Sequence, residues 1–198
     1  MANAKPKTVE RRLKKTQRLT QMLLKVTNDL AVSNSLDDAL AILVDITTST
    51  IGAERGTIFL NNEQTGELYS RFAQDSFSRE IRILNTTGVA GWVFTNDQGV
   101  IIDHAYKDKR FNREIDHITN FKTRNILCAP LKTLKGEKIG VTQILNKDDG
   151  NFTEYDLDIL GAMNEQASIA LQNNIVIEQM KESRKQELEF LDLLDCTR

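Results

Sequence analysis

Thr57-Ile58-Phe59-Leu60-Asn61-Asn62-Glu63-Gln64-Thr65-Gly66-Glu67-Leu68-Tyr69-Ser70-Arg71-Phe72 is the stretch where the chain changes period. Two runs of apolar, aromatic and β-branched residues flank a polar loop ending in glycine, the signature of a β-hairpin. Working downstream, further strands are expected at Glu80–Leu84, Gly99–Asp103, Asn125–Leu131 and Lys138–Asn146, with Leu134-Lys135-Gly136-Glu137 as the turn between the last two. Gly88-Val89-Ala90-Gly91-Trp92-Val93-Phe94 reads as a short helix opened by a glycine. Residues 104–124 form a long connection with one helical turn near Phe111–Asp116, and a connection of that length within a compact domain is usually functional.

Upstream of the hairpin the spacing is helical. Ser35 is placed to cap a helix whose first turn holds Asp37 and Asp38, and Leu36, Ala39, Leu40, Leu43 and Val44 form its apolar face up to Gly52. Before it, Val9, Leu13, Thr16, Thr20, Leu23, Thr27 and Leu30 follow a heptad, a seam weakened by its threonines. From Thr153 to about Cys196 the helical pattern returns. Leu160, Met163, Ala167, Ala170, Asn174, Ile177, Leu188 and Leu191 share one heptad frame that also contains Lys181 and Arg184. Forty-odd helical residues reach roughly 60 Å, more than a small sheet covers, so the tail is expected to pack on a dimer partner. The reading is an α+β fold: a six-stranded antiparallel sheet with long N- and C-terminal helices on one face and short helices and a lid loop on the other. Residues 1–35 form a basic dimerisation or linker helix, 36–176 the central domain, and 177–198 a helix continuing towards an effector domain.

Composition narrows the chemistry. With 198 residues, 40% hydrophobic, 27% charged and 2 prolines, the chain suits one ordered domain with attachments. No apolar run reaches the ~20 residues of a membrane span, and no secretory leader is legible, so a cytoplasmic protein with no membrane association is expected. Residues 1–25 carry eight Lys/Arg and one acid, a net +7, which leaves −9 on the remainder of a chain of formal charge −2. That arm has no aromatic residue for base stacking, so a solvated helix face is preferred to nucleic-acid binding. His104 and His117 lack the spacing of metal or catalytic motifs and read as loop residues. Cys128, in an apolar strand, reads as a small hydrophobe, and Cys196 has no activating base beside it. No catalytic residue, metal or cofactor is expected. The long connection is the better candidate, with Asp116, Thr119 and Thr123 and with Phe111, Ile118 and Phe121 as apolar company; the Val89 and Ala90 amides, at a helix start opened by Gly88, would face a ligand and suit a phosphate or carboxylate.

Taken together, Glu54–Leu60, Thr87–Val93, Asp103–Phe111, Phe121–Pro130 and Ile139–Lys147 resemble, in order and spacing, a GAF domain of the cyclic-nucleotide phosphodiesterase and cyanobacterial adenylate cyclase type, from about Leu36 to Val176. The cyclic-nucleotide branch carries a motif N-K, a short insert, then F-x-x-x-D-E. Here Asn146, Lys147, Phe152 and Asp156 match and Leu157 replaces the glutamate. The resemblance implies that Lys147 and Asp156 pair as a structural clasp between the last strand and the long helix. It implies ligand positions at Arg55 and Thr57, at Phe72 beside the base, at the Val89 and Ala90 amides near the cyclic phosphate, at Asp116, Thr119 and Thr123 in a lid, and at Gln143 near the sugar. Ala73 stands where a cGMP-binding relative has a carboxylate, which leans the reading towards cAMP over cGMP.

The expected function is a regulatory sensor domain that binds a cyclic nucleotide and relays it through dimeric helices to an effector in the same chain, most like an adenylate cyclase. The alternatives are a ligand-independent dimerisation scaffold and a sensor of another small molecule.

Overall fold

The computed structural model describes residues 16, 17, 19–29, 33, 35–74 and 80–195. A first helical stretch, α1 (residues 19–29), precedes α2 (Leu36–Ile51), then β1 (Ala53–Asn62), β2 (Glu67–Ala73), β3 (Arg82–Leu84), α3 (Gly88–Asn96), β4 (Val100–Ile102), a 3-10 turn at Ala105–Lys107, α4 (Arg113–Thr119), β5 (Ile126–Lys132), β6 (Lys138–Lys147) and α5 (Glu154–Asp195). Ser35 caps α2 by accepting from the Asp38 amide, and Gly52 ends it in the left-handed region at φ 74° with its N–H donating to Thr48 O.

The strands form one sheet in the order β3-β2-β1-β6-β5-β4, every neighbouring pair antiparallel. Alternation divides its side chains between two apolar layers. Ile58, Leu127 and Ile144 face α1, α2 and α5, where Leu40, Leu43, Val44, Leu160 and Met163 complete the larger core. Phe59, Ile126 and Val141 face the other way, against Val89, Ala90 and Val93 of α3. The long helices thus lie on one face and the short helices on the other. Gly56 is required where β1 passes under α2: a Cβ there would lie 2.5 Å from Val44 Cγ1 and 3.0 Å from Thr48 Cγ2.

The heptad residues of the two long helices relate differently to this chain's own core. In α1 the face turned to the domain core is Leu19, Met22 and Val26, whereas the seam residues Thr16, Thr20 and Thr27 are exposed and Leu23 is half-buried. The apolar stripe wins because threonine offers little surface for burial, and the Thr27 hydroxyl is satisfied locally by donating to Leu23 O. Val9, Leu13 and Leu30 lie outside the described residues. In α5 the frame is divided: Leu160, Met163 and Ala167 enter this chain's own core, Asn174 is half-buried, and Ile177, Lys181 and Arg184 are exposed. The side chains of Leu188 and Leu191 lie outside the described residues.

Candidate functional site

The sheet face away from the long helices holds a cavity of about 90 Å³. Its floor is a cross-strand row, Ala73, Thr57 and Gln143, which the register sets side by side on β2, β1 and β6. Arg55, two residues along β1, extends the floor. One wall is the start of α3, where the first-turn amides of Gly88, Val89 and Ala90 have no intrahelical carbonyl to bond. The roof is a lid made by residues 104–125, contributing Phe111, Ile115, Asp116, Thr119, Phe121 and Thr123.

The polar groups around this cavity fall into two sets. Thr57, 7% exposed, and half-buried Gln143 make no side-chain hydrogen bond among the described residues, which leaves a hydroxyl and an amide on the floor beside Arg55. The lid's polar groups are engaged with one another. Asp116, 6% exposed, accepts from Tyr106 Oη at 2.9 Å, from the Thr123 amide at 2.7 Å and from Thr123 Oγ1 at 2.7 Å. The Thr119 hydroxyl donates to Ile115 O. Sequence reasoning missed Tyr106, whose role comes from the 3-10 turn that carries it beneath α4. Stacking joins the lid to its surroundings: the Arg55 guanidinium lies 3.9 Å over the Phe121 ring, and Arg110, held bidentately by Asp108, lies 4.5 Å over Trp92 of α3. That pairing holds the Asp108 carboxyl below its usual range, against the opposing effect of burial.

Of the ligand positions expected from the resemblance, Arg55, Thr57, Val89, Ala90, Asp116, Thr119, Thr123 and Gln143 line the cavity and Phe72 does not. Phe72 packs against the helix-side core. Strict alternation from Leu68 would place it on the cavity face. A bulge intervenes, since Ile58 pairs with Phe72 but Phe59 pairs with Ser70, so the extra residue Arg71 turns Phe72 over. Ile118, read as apolar company for the site, is 71% exposed on the outer side of the lid.

A second constellation lies where β6, α2 and α5 meet. Lys147 Nζ is 3.0 Å from Asp156 Oδ1 and donates to Ile51 O, the last residue of α2, at 2.8 Å. Asp156 Oδ2 accepts from the Thr153 amide and hydroxyl, and Phe152 is buried beside the pair. Asn146, at φ 59°, accepts from the Arg124 amide and donates to Lys122 O and to Glu54, tying β6 to the lid's exit. Burial works to raise the Glu54 carboxyl, but hydrogen bonds from Asn146 and Arg124 and the nearby arginine charges outweigh it and hold the group below its ordinary range. Leu157, where the motif has glutamate, packs against the core.

His104 and His117 are both exposed on the lid. Cys128 is fully buried, and burial pushes its thiol above the ordinary range; Cys196 lies outside the described residues. Among the described residues no three His, Cys, Asp or Glu side chains gather as a metal site would require.

An antiparallel sheet with paired long helices on one face and a lidded cavity on the other defines an α+β module organised around that cavity. The chain belongs to the GAF domain family, whose model matches residues 35–171. Among solved structures it resembles the GAF domain of a phosphoenolpyruvate-protein phosphotransferase from Coxiella burnetii (TM-score 0.73, 15% identity, covering 82% of this chain and 98% of that one). It also resembles the free methionine-R-sulfoxide reductase from Neisseria meningitidis (TM-score 0.66, 18% identity, 82% and 91%). These likenesses concern the fold, which serves different chemistries. Among curated proteins it is similar to a probable 3',5'-cyclic phosphodiesterase, pde-5, of Caenorhabditis elegans (27% identity, 94% of this chain, 27% of that protein). It is also similar to the dual 3',5'-cyclic-AMP and -GMP phosphodiesterase 11 of Drosophila melanogaster (37%, 58% and 8%) and to the cGMP-specific 3',5'-cyclic phosphodiesterase of the same fly (36%, 79% and 16%). The chain therefore spans about a quarter or less of the length of these relatives. No helix among the described residues is long and apolar enough to cross a membrane.

Proposed function

We propose that this chain is the regulatory domain of a cyclic-nucleotide signalling enzyme and binds a 3',5'-cyclic nucleotide in the lidded cavity. The observation that supports the reading is the pair of buried Thr57 and half-buried Gln143, floor residues whose side chains make no hydrogen bond among the described residues, facing unbonded helix amides at Gly88–Ala90. The amides suit the cyclic phosphate, and the floor suits the base and sugar. Among the described residues Asp116 is the only carboxylate lining the cavity, and both its oxygens are engaged by Tyr106 and Thr123. Guanine, which presents two N–H donors on one edge, would find no free acidic acceptor among these residues, so adenine is favoured. Against this, one relative is named a cGMP-specific phosphodiesterase, while another is named dual for cyclic AMP and GMP; both names describe those whole enzymes.

All three relatives are phosphodiesterases, so a phosphodiesterase replaces the expected adenylate cyclase as the effector of this proposal. The domain is proposed to work as a homodimer through α5, whose Val176, Ile177 and Met180 are exposed. A second reading, a scaffold that binds no nucleotide, is favoured by the cavity's size, below the ~300 Å³ at which ligand pockets usually begin.

Calorimetric titration with cAMP and with cGMP separates the two readings. Saturable binding, one per chain and weakened about tenfold by Thr57→Val through loss of one hydrogen bond, is the expected result. No heat from either nucleotide would move the protein to the scaffold reading.

A further inference from the structure

The lid must move for any ligand of nucleotide size to enter a cavity of about 90 Å³. What holds it is concentrated at one carboxylate. Asp116 sits on α4 in the middle of the lid. It accepts from Tyr106 on the 3-10 turn at the lid's start and from Thr123 at its end, so both arms are pinned to the centre through two oxygens. We infer that Asp116 and Tyr106 are positioning residues that latch the lid over the cavity, with release of the Tyr106 hydroxyl setting how fast ligand enters and leaves.

The two sides of the latch differ. The bonds from Thr123 are buried, and leaving a buried carboxylate unsatisfied is costly. Tyr106 is 39% exposed, so water can take its place at Asp116 Oδ2 as it departs. Its ring rests on Phe111, with centroids 5.2 Å apart, and Arg113 donates to its backbone carbonyl, so the hydroxyl can be removed while the ring keeps its packing. The carboxylate thereby serves the lid rather than the ligand. This role stands without reference to what the cavity binds; only the rate consequence rests on the proposed nucleotide.

The test is hydrogen–deuterium exchange on the unliganded chain carrying Tyr106→Phe. Amides of residues 113–123 should exchange roughly tenfold faster or more, while those of β1 and β6 keep their wild-type rates. Unchanged exchange in the lid overturns the latch, as does an increase spread evenly over lid and sheet, which would mark a merely structural role. Asp116→Asn, which keeps the shape and removes the charge, should show the same local pattern. Stopped-flow mixing with cAMP and cGMP then reads the gate: in Tyr106→Phe association and dissociation should rise by similar factors, leaving the dissociation constant within about threefold. Faster lid exchange with unaltered nucleotide rates overturns the gating role. Faster lid exchange with no nucleotide binding to either protein supports the latch and defeats the nucleotide reading.

Discussion

Lys147 carries one charge into a setting with little water: its side chain is 15% exposed and that of its partner Asp156 is 7% exposed. Removing one member of such a pair strands the other, at a cost of about 3–5 kcal/mol. Lys147→Met should therefore lower unfolding free energy by that order in urea titrations. The double variant Lys147→Met, Asp156→Leu should lose less than Lys147→Met alone, because no charge is left behind. Tyr106 makes a pH-dependent contribution. Its bond to Asp116 raises the phenol above its ordinary value, so the stability it adds is complete below about pH 10 and declines as pH rises through the native value. The stability gap between wild type and Tyr106→Phe should narrow above that pH, as thermal melts of both proteins across the range would measure. At this scale the sequence was legible where a motif fixes partners, as for Lys147 and Asp156. It was not legible at Phe72, because a one-residue bulge reverses a face without leaving a compositional mark. Nor was Tyr106, whose partner lies ten residues away across a turn.

Among the elements, β1 is the one least able to change. It lies between β2 and β6, supplies the cavity floor through Arg55 and Thr57, and passes under α2 at Gly56. Gly56→Ala would press a methyl against Val44 and Thr48 and should cost about 1–3 kcal/mol by overpacking. Chemical denaturation would check this, and a neutral result would mean that α2 lifts off the sheet easily. Strand and helix positions were readable because their periods differ, and the caps at Ser35 and Gly52 marked α2 directly. The face that α1 turns to this chain's core was not legible, for a physical reason. A heptad and an i, i+3, i+7 stripe coexist in the same residues, and the sheet's apolar face, invisible in one dimension, decides between them.

Considered as a whole, the molecule is a domain with a long lever. The 42-residue α5 has Leu171 as its last buried side chain among those described, so its distal half contributes nothing seen to this chain's core. Ending the chain after residue 175 should leave the melting temperature within a few degrees, while sedimentation should report loss of self-association if α5 mediates it. A large fall in melting temperature would mean that the distal helix supports the fold. The overall architecture was foreseeable because the order of helix, strand and connection restricts the topology, whereas the cavity's small volume depends on side chains meeting across the lid. One arrangement in that lid has an optical consequence. Trp92 is the only tryptophan in 198 residues, and the Arg110 guanidinium covers its ring at 4.5 Å. An indole's emission colour and yield respond to a charge placed against it, and Arg110 lies on the lid while Trp92 lies on α3. If the lid opens as inferred, that cation leaves the ring, and the change in emission would report opening without any label.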